Sequence, residues 1–472
     1  KGAFPVRPAV SLDAEYETFV LKAGEKMTFP VPERFLPNGL LRNVTVSSSP
    51  VTELVPALDE LLGFPYGCAE QTTSKAMPML YASALLDGGK ADFAEESVRA
   101  GIRRLELMQT TSGGLSYWPG GKDPYLWATC YASGFLMEAK KAGFEMDEAF
   151  LAGLTSYLRK TLRAGKHGLN EQAFVCQVLA TFGKPEKSRQ RYLLDKADAL
   201  DLSGLARLAA AWLASGRSDL ARQCLREDAL SQKIDRTCDG RLTSDVAACS
   251  TMLSVLLDLD EKHPWLEVLK ERILLARRDG RWPSTLDNGL ALAALCKLHS
   301  IMAREGSEFS GNVSTRGSEG QSFSSDRVAG HSFSGIEDLE VSSSGRGKIF
   351  VSIKTEGLVS PEDLQPVDRG IKARRRWLNA EGEVIRDWTN GDAESLEVSV
   401  GDLVWVEVML QAKGSALENV ALVDALPGGF AVENPRLATS AVRASGRSIG
   451  LKPSSRAERA EFLDVLARAP PC

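Results

Sequence analysis

No Cys-x-x-Cys pair occurs among the 472 residues, and histidine appears only at positions 167, 263, 299 and 331. Structural zinc sites need thiolates or imidazoles at close, regular spacing, so no metal is expected, and no other cofactor either. Scarce histidine also argues against a cysteine-dependent hydrolase or transglutaminase, because a turnover nucleophile needs an imidazole within hydrogen-bond reach and a group that orients it. A predominance of one charge is missing too. Lys and Arg number 57 against 62 Asp and Glu, the net charge is −5, and the two signs alternate along the chain. That pattern excludes the basic stripe of a nucleic-acid binder. Apolar runs are broken every few residues, as in Leu205-Ala206-Arg207-Leu208, and none approaches the ~20 residues of a membrane span. An aspartate-rich metal motif or acidic pair, which an enzyme built on a ring of helices would need, is not evident. The chain opens at Lys1 in strand-like sequence (Thr18-Phe19-Val20-Leu21, Val44-Thr45-Val46). With nothing before these residues to pair against, it is expected to be a fragment of something longer.

What is present falls into three stretches. Residues 1–48 alternate in the β manner and carry turns such as Leu36-Pro37-Asn38-Gly39. Residues 49–303 change to helical periodicity, with candidate helices over 72–87, 91–109, 124–142, 147–163, 170–182, 187–199, 201–215, 218–225, 243–259, 264–277 and 287–301. Two links look alike, Gly113-Gly114-Leu115-Ser116-Tyr117-Trp118-Pro119 and Gly280-Arg281-Trp282-Pro283-Ser284. A recurring Gly turn, aromatic and capped Ala/Leu-rich helix suggests stacked helical hairpins with the Trp packed between them. The expected architecture is multidomain α and β: an α/α toroid (a ring of helical hairpins) flanked by β-sandwich segments, with an open solenoid as the alternative. Residues 304–365 are expected to hold a Ser/Gly-rich connection, linker-like over 304–335, and a returning β segment at Lys348–Ile353. Residues 366–472 carry strand patterns at Leu403–Leu410 and Val420–Asp424, and Arg374-Arg375-Arg376 reads as a solvated strand edge. Cys130, Cys176, Cys224, Cys249 and Cys296 fall in Ala/Leu-rich helical sequence, where free cysteine is a small buried hydrophobe. A disulfide among them is left open.

The chemistry concentrates at Gly67-Cys68-Ala69-Glu70-Gln71. Residues three apart share one face of a helical turn, so the Cys68 thiolate can attack the Gln71 carboxamide. Loss of ammonia then closes a small internal thioester. Such a bond stores an electrophile for an amine or hydroxyl, and it hydrolyses unless covered. Phe64, Tyr66 and either Tyr117 or Trp118 are candidates for an apolar cover. Thr72, Thr73 and Ser74 read as helix caps.

The stretch Pro65-Tyr66-Gly67-Cys68-Ala69-Glu70-Gln71-Thr72-Thr73-Ser74 resembles the thioester motif of alpha-2-macroglobulins, particularly the bacterial branch. Gly114–Gly121 and Gly280–Thr285 resemble that family's thioester-domain turns. Asp368-Arg369-Gly370-Ile371, Gly401–Val406 and Val423–Phe430 resemble its β-sandwich nearest the C-terminus, the last two domains falling in the family's order. The resemblance implies a protease trap. Proteolysis of a bait segment elsewhere in the parent exposes a buried thioester, which acylates surface amines of the attacking protease. On this reading Gln71 supplies the acyl carbon and Cys68 the leaving thiolate, with Gly67 and Glu70 as supporting motif residues. Complement-type relatives carry a histidine at a helix start roughly a hundred residues after the cysteine; here Asn170 takes that place, with His167 just before it, which implies transfer to amines rather than hydroxyls. The resemblance also implies a periplasmic or cell-envelope location and a parent anchored to the membrane through a missing N-terminal segment. After Asn434-Pro435-Arg436-Leu437 the family pattern dissolves, so the last sandwich reads as truncated. The rival readings are a non-reactive interaction scaffold with the same fold, and further off a cysteine-dependent or α/α-toroid enzyme.

Overall fold

Sparse large apolar residues spaced two apart build the β part of this chain from both of its ends. The structure, a computed structural model, describes residues 12–37, 39–63, 67–84, 91–237, 242–278, 280–302, 307–316, 318–359, 371–387, 397–412, 422–424, 426 and 430–432. The chain divides into two units, Lys1–Gln365 and Pro366–Cys472. In the first unit, strands β1 (Leu12–Lys22), β2 (Lys26–Phe29) and β3 (Leu41–Ser47) come before a long helical insertion. Strands β4 (Glu308–Thr315), β5 (Gln321–Ser324), β6 (Ala329–Ser334), β7 (Leu339–Arg346) and β8 (Lys348–Leu358) come after it. They form two antiparallel sheets of order β1-β8-β3-β6 and β2-β7-β4-β5. Val44, Val46, Ile349, Val351 and Ile353 of the first sheet share one buried cluster with Phe309, Val313, Phe323, Leu339 and Val341 of the second. The opening strands therefore do have a partner, in sequence that lies three hundred residues later.

The linker expected over 304–335 is corrected by β4–β6. In Phe309-Ser310-Gly311-Asn312-Val313 the large residues are buried, while Ser310 and Asn312 face outward or sit at the margin. Serine at the exposed positions keeps the period of two, and hydrophobicity averaged over the stretch conceals it.

The insertion carries helices α1 (Val55–Gly63), α2 (Ala69–Ala76), α3 (Ala91–Glu106), α4 (Leu126–Lys141), α5 (Glu148–Ala164), α6 (Leu169–Thr181), α7 (Lys187–Asp195), α8 (Leu202–Ala214), α9 (Ser218–Arg222), α10 (Glu227–Ser231), α11 (Asp245–Leu259), α12 (Trp265–Leu275) and α13 (Thr285–Met302). Two kinds of pattern separate them. In α5 one stripe (Phe150, Leu151, Leu154, Leu158, Leu162) is buried, Asp147 caps the start by accepting from Ala149 N–H at 2.7 Å, and Gly165 ends it at φ 66°. In α8 nearly every side is buried, from Leu202 through Leu205, Ala206, Leu208 and Ala209 to Trp212, as in a helix enclosed by others. The enclosed helices pack in succession, α2 on α4, α4 on α6, α6 on α8, α8 on α11 and α11 on α13, and α13 packs on α2. Cys130, Cys176, Cys224, Cys249 and Cys296 are buried in this helical core and free, as their surroundings led one to expect. Trp282 is buried and donates Nε1–H to Ile273 O at 2.8 Å, but Trp118, expected to pack likewise, is 52% exposed.

His299 on α13 is 7% exposed; burial, reinforced by the charge of Lys270, lowers its pKa to about 4. Its neutral form belongs to the folded state, so unfolded chains take up this proton first. The stability that depends on the neutral ring is full above pH 6.5 and falls as pH drops from 6.5 towards 4. His299→Leu should remove on the order of 2–3 kcal/mol of that acid loss, seen as a urea midpoint that changes less than the wild type's between pH 6.5 and 4. Parallel pH profiles for the two proteins would refute this.

In the second unit, β9 (Ile371–Leu378) lies between β10 (Val384–Asp387) and β11 (Trp405–Ala412), both antiparallel to it. Arg374–Arg376 is thus in a middle strand rather than at an edge. Arg374 pairs with Asp387, Arg376 with Glu407 across the strands, and Arg375 with Asp424 at 3.1 Å. Residues 422–424 of the expected strand at 420–424 are not strand, and the expected truncation after Leu437 lies outside the described residues.

Candidate functional site: the Cys68–Gln71 turn

Helix α2 starts three residues before the helix expected from periodicity, and this places the motif. Cys68 is its N-cap, with extended backbone at φ −70° and ψ 173°, and Gln71 is its third residue. The Gln71 side chain folds back so that Oε1 accepts the N–H of Cys68 at 3.1 Å. Cys68 is 8% exposed. Burial raises its pKa, opposed in part by a hydrogen bond from the Gln71 backbone N–H. Sulfur and carboxamide therefore meet at the positive end of a helix. Thr72, Thr73 and Ser74 do not cap α2. They lie inside it, where Thr73 Oγ1 donates to Ala69 O at 2.7 Å and Ser74 Oγ to Glu70 Oε1 at 2.6 Å.

The neighbours of the turn come from distant sequence. Ala69 N–H donates to Tyr117 O at 2.9 Å, laying the Gly113–Gly121 loop on the first turn of α2. Tyr117, rather than the exposed Trp118, flanks the thiol. Its hydroxyl is pushed up to about 12 by burial and then by the proximity of Cys68, Glu70 and Tyr125, whose ring stands edge-on at 4.7 Å. Arg104 Nε donates to Gly67 O at 2.7 Å, and a Cβ on Gly67 would sit 2.7 Å from that nitrogen, so any larger residue would have to push the guanidinium aside. Glu70 is 6% exposed and accepts from Thr285 Oγ1 on α13 at 2.8 and 3.0 Å. Burial raises its pKa, against the two hydroxyl donors Ser74 and Thr285 and with help from nearby Asp287. Arg104 and Thr285 went unread in the sequence, since no local spacing ties them to residues 67–71.

Asn170 and His167 are not brought into hydrogen-bonding contact with this turn. Asn170 Nδ2 donates to Asp201 Oδ2 at 2.7 Å at the start of α8, and His167 Nδ1 lies 3.5 Å from Glu171 Oε1. Their helix α6 packs on α4, α5, α7 and α8, whereas α2 packs on α1, α3, α4 and α13. Phe64 and Tyr66 lie outside the described residues. Among the described residues no cluster of His, Cys, Asp and Glu is arranged to hold a metal ion, and no helix is long and apolar enough to cross a membrane.

Residues 370–465 match the family described as the bacterial alpha-2-macroglobulin MG10 domain. That match continues past Leu437. Individual relatives extend the likeness to the helical part. The alpha-2-macroglobulin of Escherichia coli K12 is 27% identical over 92% of this chain, and that of Thermotoga maritima 26% identical over 60%. The native Escherichia coli protein, in a crystal structure running from domain MG7 to the C-terminus, shares the fold over 86% of this chain and 65% of its own, at TM-score 0.62 and 21% identity. Salmonella alpha-2-macroglobulin reacted with methylamine gives TM-score 0.62 and 24% identity over 86% of this chain and 27% of its own. The chain spans 27% of the length of the Escherichia coli relative. The similarity to bacterial alpha-2-macroglobulins read from the sequence thus covers most of the chain.

Proposed function

We propose that this chain is the thioester-bearing part of a covalent protease trap, in which Cys68 and Gln71 form an internal thioester that acylates amines of a protease. The observation that carries the reading is the Gln71 carboxamide folded back on the N–H of Cys68 at 3.1 Å. In bond formation the Cys68 sulfur attacks Gln71 Cδ. The S–C bond forms, the C–N bond breaks, and the thiol proton leaves with the nitrogen as ammonia. The Cys68 N–H already points at Oε1, the atom that gains negative charge in that step. In transfer, an amine nitrogen attacks the same carbon; an amide forms, the S–C bond breaks, and the amine proton ends on the released Cys68 sulfur.

The rest of the reading follows from the packing and the relatives. The succession α2-α4-α6-α8-α11-α13, returning to α2, supports an α/α toroid as the thioester domain, with Cys68 at a helix start on its rim. Tyr117 serves as part of the apolar cover. With Asn170 held by Asp201, the acyl group passes to amines such as lysine without a helper at that position. The parent protein would be periplasmic and membrane-anchored, and its bait segment would choose the proteases. Intact mass of fresh protein, before and after methylamine, tests the proposal. One ammonia missing at the start, then one methylamine added with one thiol released, is the expected result. A starting mass equal to that of the sequence, with no uptake, would sink the reading for this chain and leave the scaffold.

A further inference from the structure

The helical succession closes at one joint, where its first enclosed helix, α2, meets its last, α13. Two independent features make that joint tight. Thr285 Oγ1 reaches both carboxylate oxygens of Glu70, a partner 215 residues away in sequence. One turn further along α13, a Cβ on Gly289 would lie 2.8 Å from Ser74 Cα and Ser74 O, so only glycine lets the two backbones come this close. Ser74 in turn donates to Glu70 at 2.6 Å and meets the Tyr131 hydroxyl of α4 at 2.9 Å. The donors to Glu70 are neutral hydroxyls, and among the described residues it forms no ion pair. Burying a carboxylate without a cation is costly, and Asp287 nearby adds repulsion. Stability alone would favour an apolar residue in its place, yet this carboxylate stands between the two reacting residues in sequence.

We propose that Glu70 is a positioning residue for the Cys68–Gln71 pair: by holding Thr285 across the α2–α13 joint it fixes the first turn of α2, so thioester formation depends on the joint. This rests on the thioester reading above. Glu70 acts through the first turn of α2 rather than on the carboxamide itself, since its oxygens are engaged by Ser74 and Thr285. A misplacement of about 1 Å in such a geometry costs on the order of a hundredfold in rate, and loss of the bolt should cost part of that.

The experiment compares the full chain with Thr285→Val, Thr285→Ser and Gly289→Ala. Three quantities are read: the fraction carrying a thioester by intact mass, the rate of methylamine uptake, and Tm. Val keeps the volume of Thr285 without the donor, and Ser keeps the donor. The expected result is a fall of about tenfold or more in thioester fraction for Thr285→Val and Gly289→Ala, with Thr285→Ser close to wild type. If Thr285→Val lowers Tm but leaves fraction and rate unchanged, the joint is merely structural and the inference is overturned. If Gly289→Ala does not fold, the near-isosteric Val variant decides alone. Absence of a thioester in the wild type would show up separately, and would overturn the functional reading and this inference together.

Discussion

Cys68→Ser should start at the mass its sequence dictates, take up no methylamine, and keep the helix content of the wild type. Serine lacks a nucleophile ionised near neutral pH, so capture of amine should fall by at least about a hundredfold. The fold has little reason to suffer. Position 68 is the N-cap of α2 with extended backbone, where serine is a better cap than cysteine, so the change in stability should stay within about 1 kcal/mol. The five described cysteines of the helical core do not confuse the result: burial pushes Cys176, Cys224 and Cys249 up to about 12 and raises Cys130 and Cys296 further, and Cys238 and Cys472, outside the described residues, are common to both proteins. The thiol count after methylamine should therefore differ by one between the two proteins. Equal uptake by the serine variant would mean that the acyl donor lies elsewhere.

The largest loss of stability is expected from Asn288→Ala, a residue that never touches the thiol. Asn288 is 1% exposed and uses its whole amide. Its Oδ1 accepts from Trp282 N–H at 3.1 Å, and Nδ2 donates to Trp282 O at 2.8 Å and to Ser284 O at 2.7 Å. Alanine would strand the buried N–H and O of Trp282, each worth about 1–3 kcal/mol when left unpaired, and open a small cavity, while Ser284 O would keep the backbone N–H of residue 288 at 2.9 Å. A loss of about 3 kcal/mol follows, read as a lower urea midpoint at unchanged m-value. Less than about 1 kcal/mol would show that water or a rearranged turn replaces the amide. Because this clamp sets the start of α13, where Thr285 meets Glu70, the variant should also form less thioester than the wild type.

Most helices were legible because period 3.6 runs through them undisturbed: the stretch expected at 147–163 is Glu148–Ala164, and that at 170–182 is Leu169–Thr181. Where the pattern was short or masked by chemistry, reading failed. Ala69-Glu70-Gln71 was read as a motif ahead of its helix, although it is the helix's first turn, and α1 was not foreseen at all. The β-sandwich was recognisable strand by strand in β1, β3 and β8, but the pairing of β1 with β8 is a tertiary fact that no local window contains. The reactive pair was legible because its two residues are three apart. Its surroundings, Arg104, Tyr117, Tyr131 and Thr285, come from four other segments, and only Tyr117 was suspected. Nor does spacing announce the bond from Asn170, a helix-start residue about a hundred positions from Cys68, to Asp201 at the start of α8.

The register that sets Leu12 opposite Leu358 and Lys22 opposite Lys348 has a consequence for the order of events on the ribosome. At roughly 5–20 residues per second, β1 emerges tens of seconds before the strand that covers it exists. In that interval its ladder groups are an open edge, available to any other extended chain. The helical insertion, rich in local contacts, can form meanwhile. Once folded, it replaces some 250 residues of loose loop by a solid body anchored at Asp59, which reaches Lys354 of β8 at 2.8 Å. The helices thus bring the late strands back to the early ones, and synthesis of the sandwich depends on the domain inserted within it.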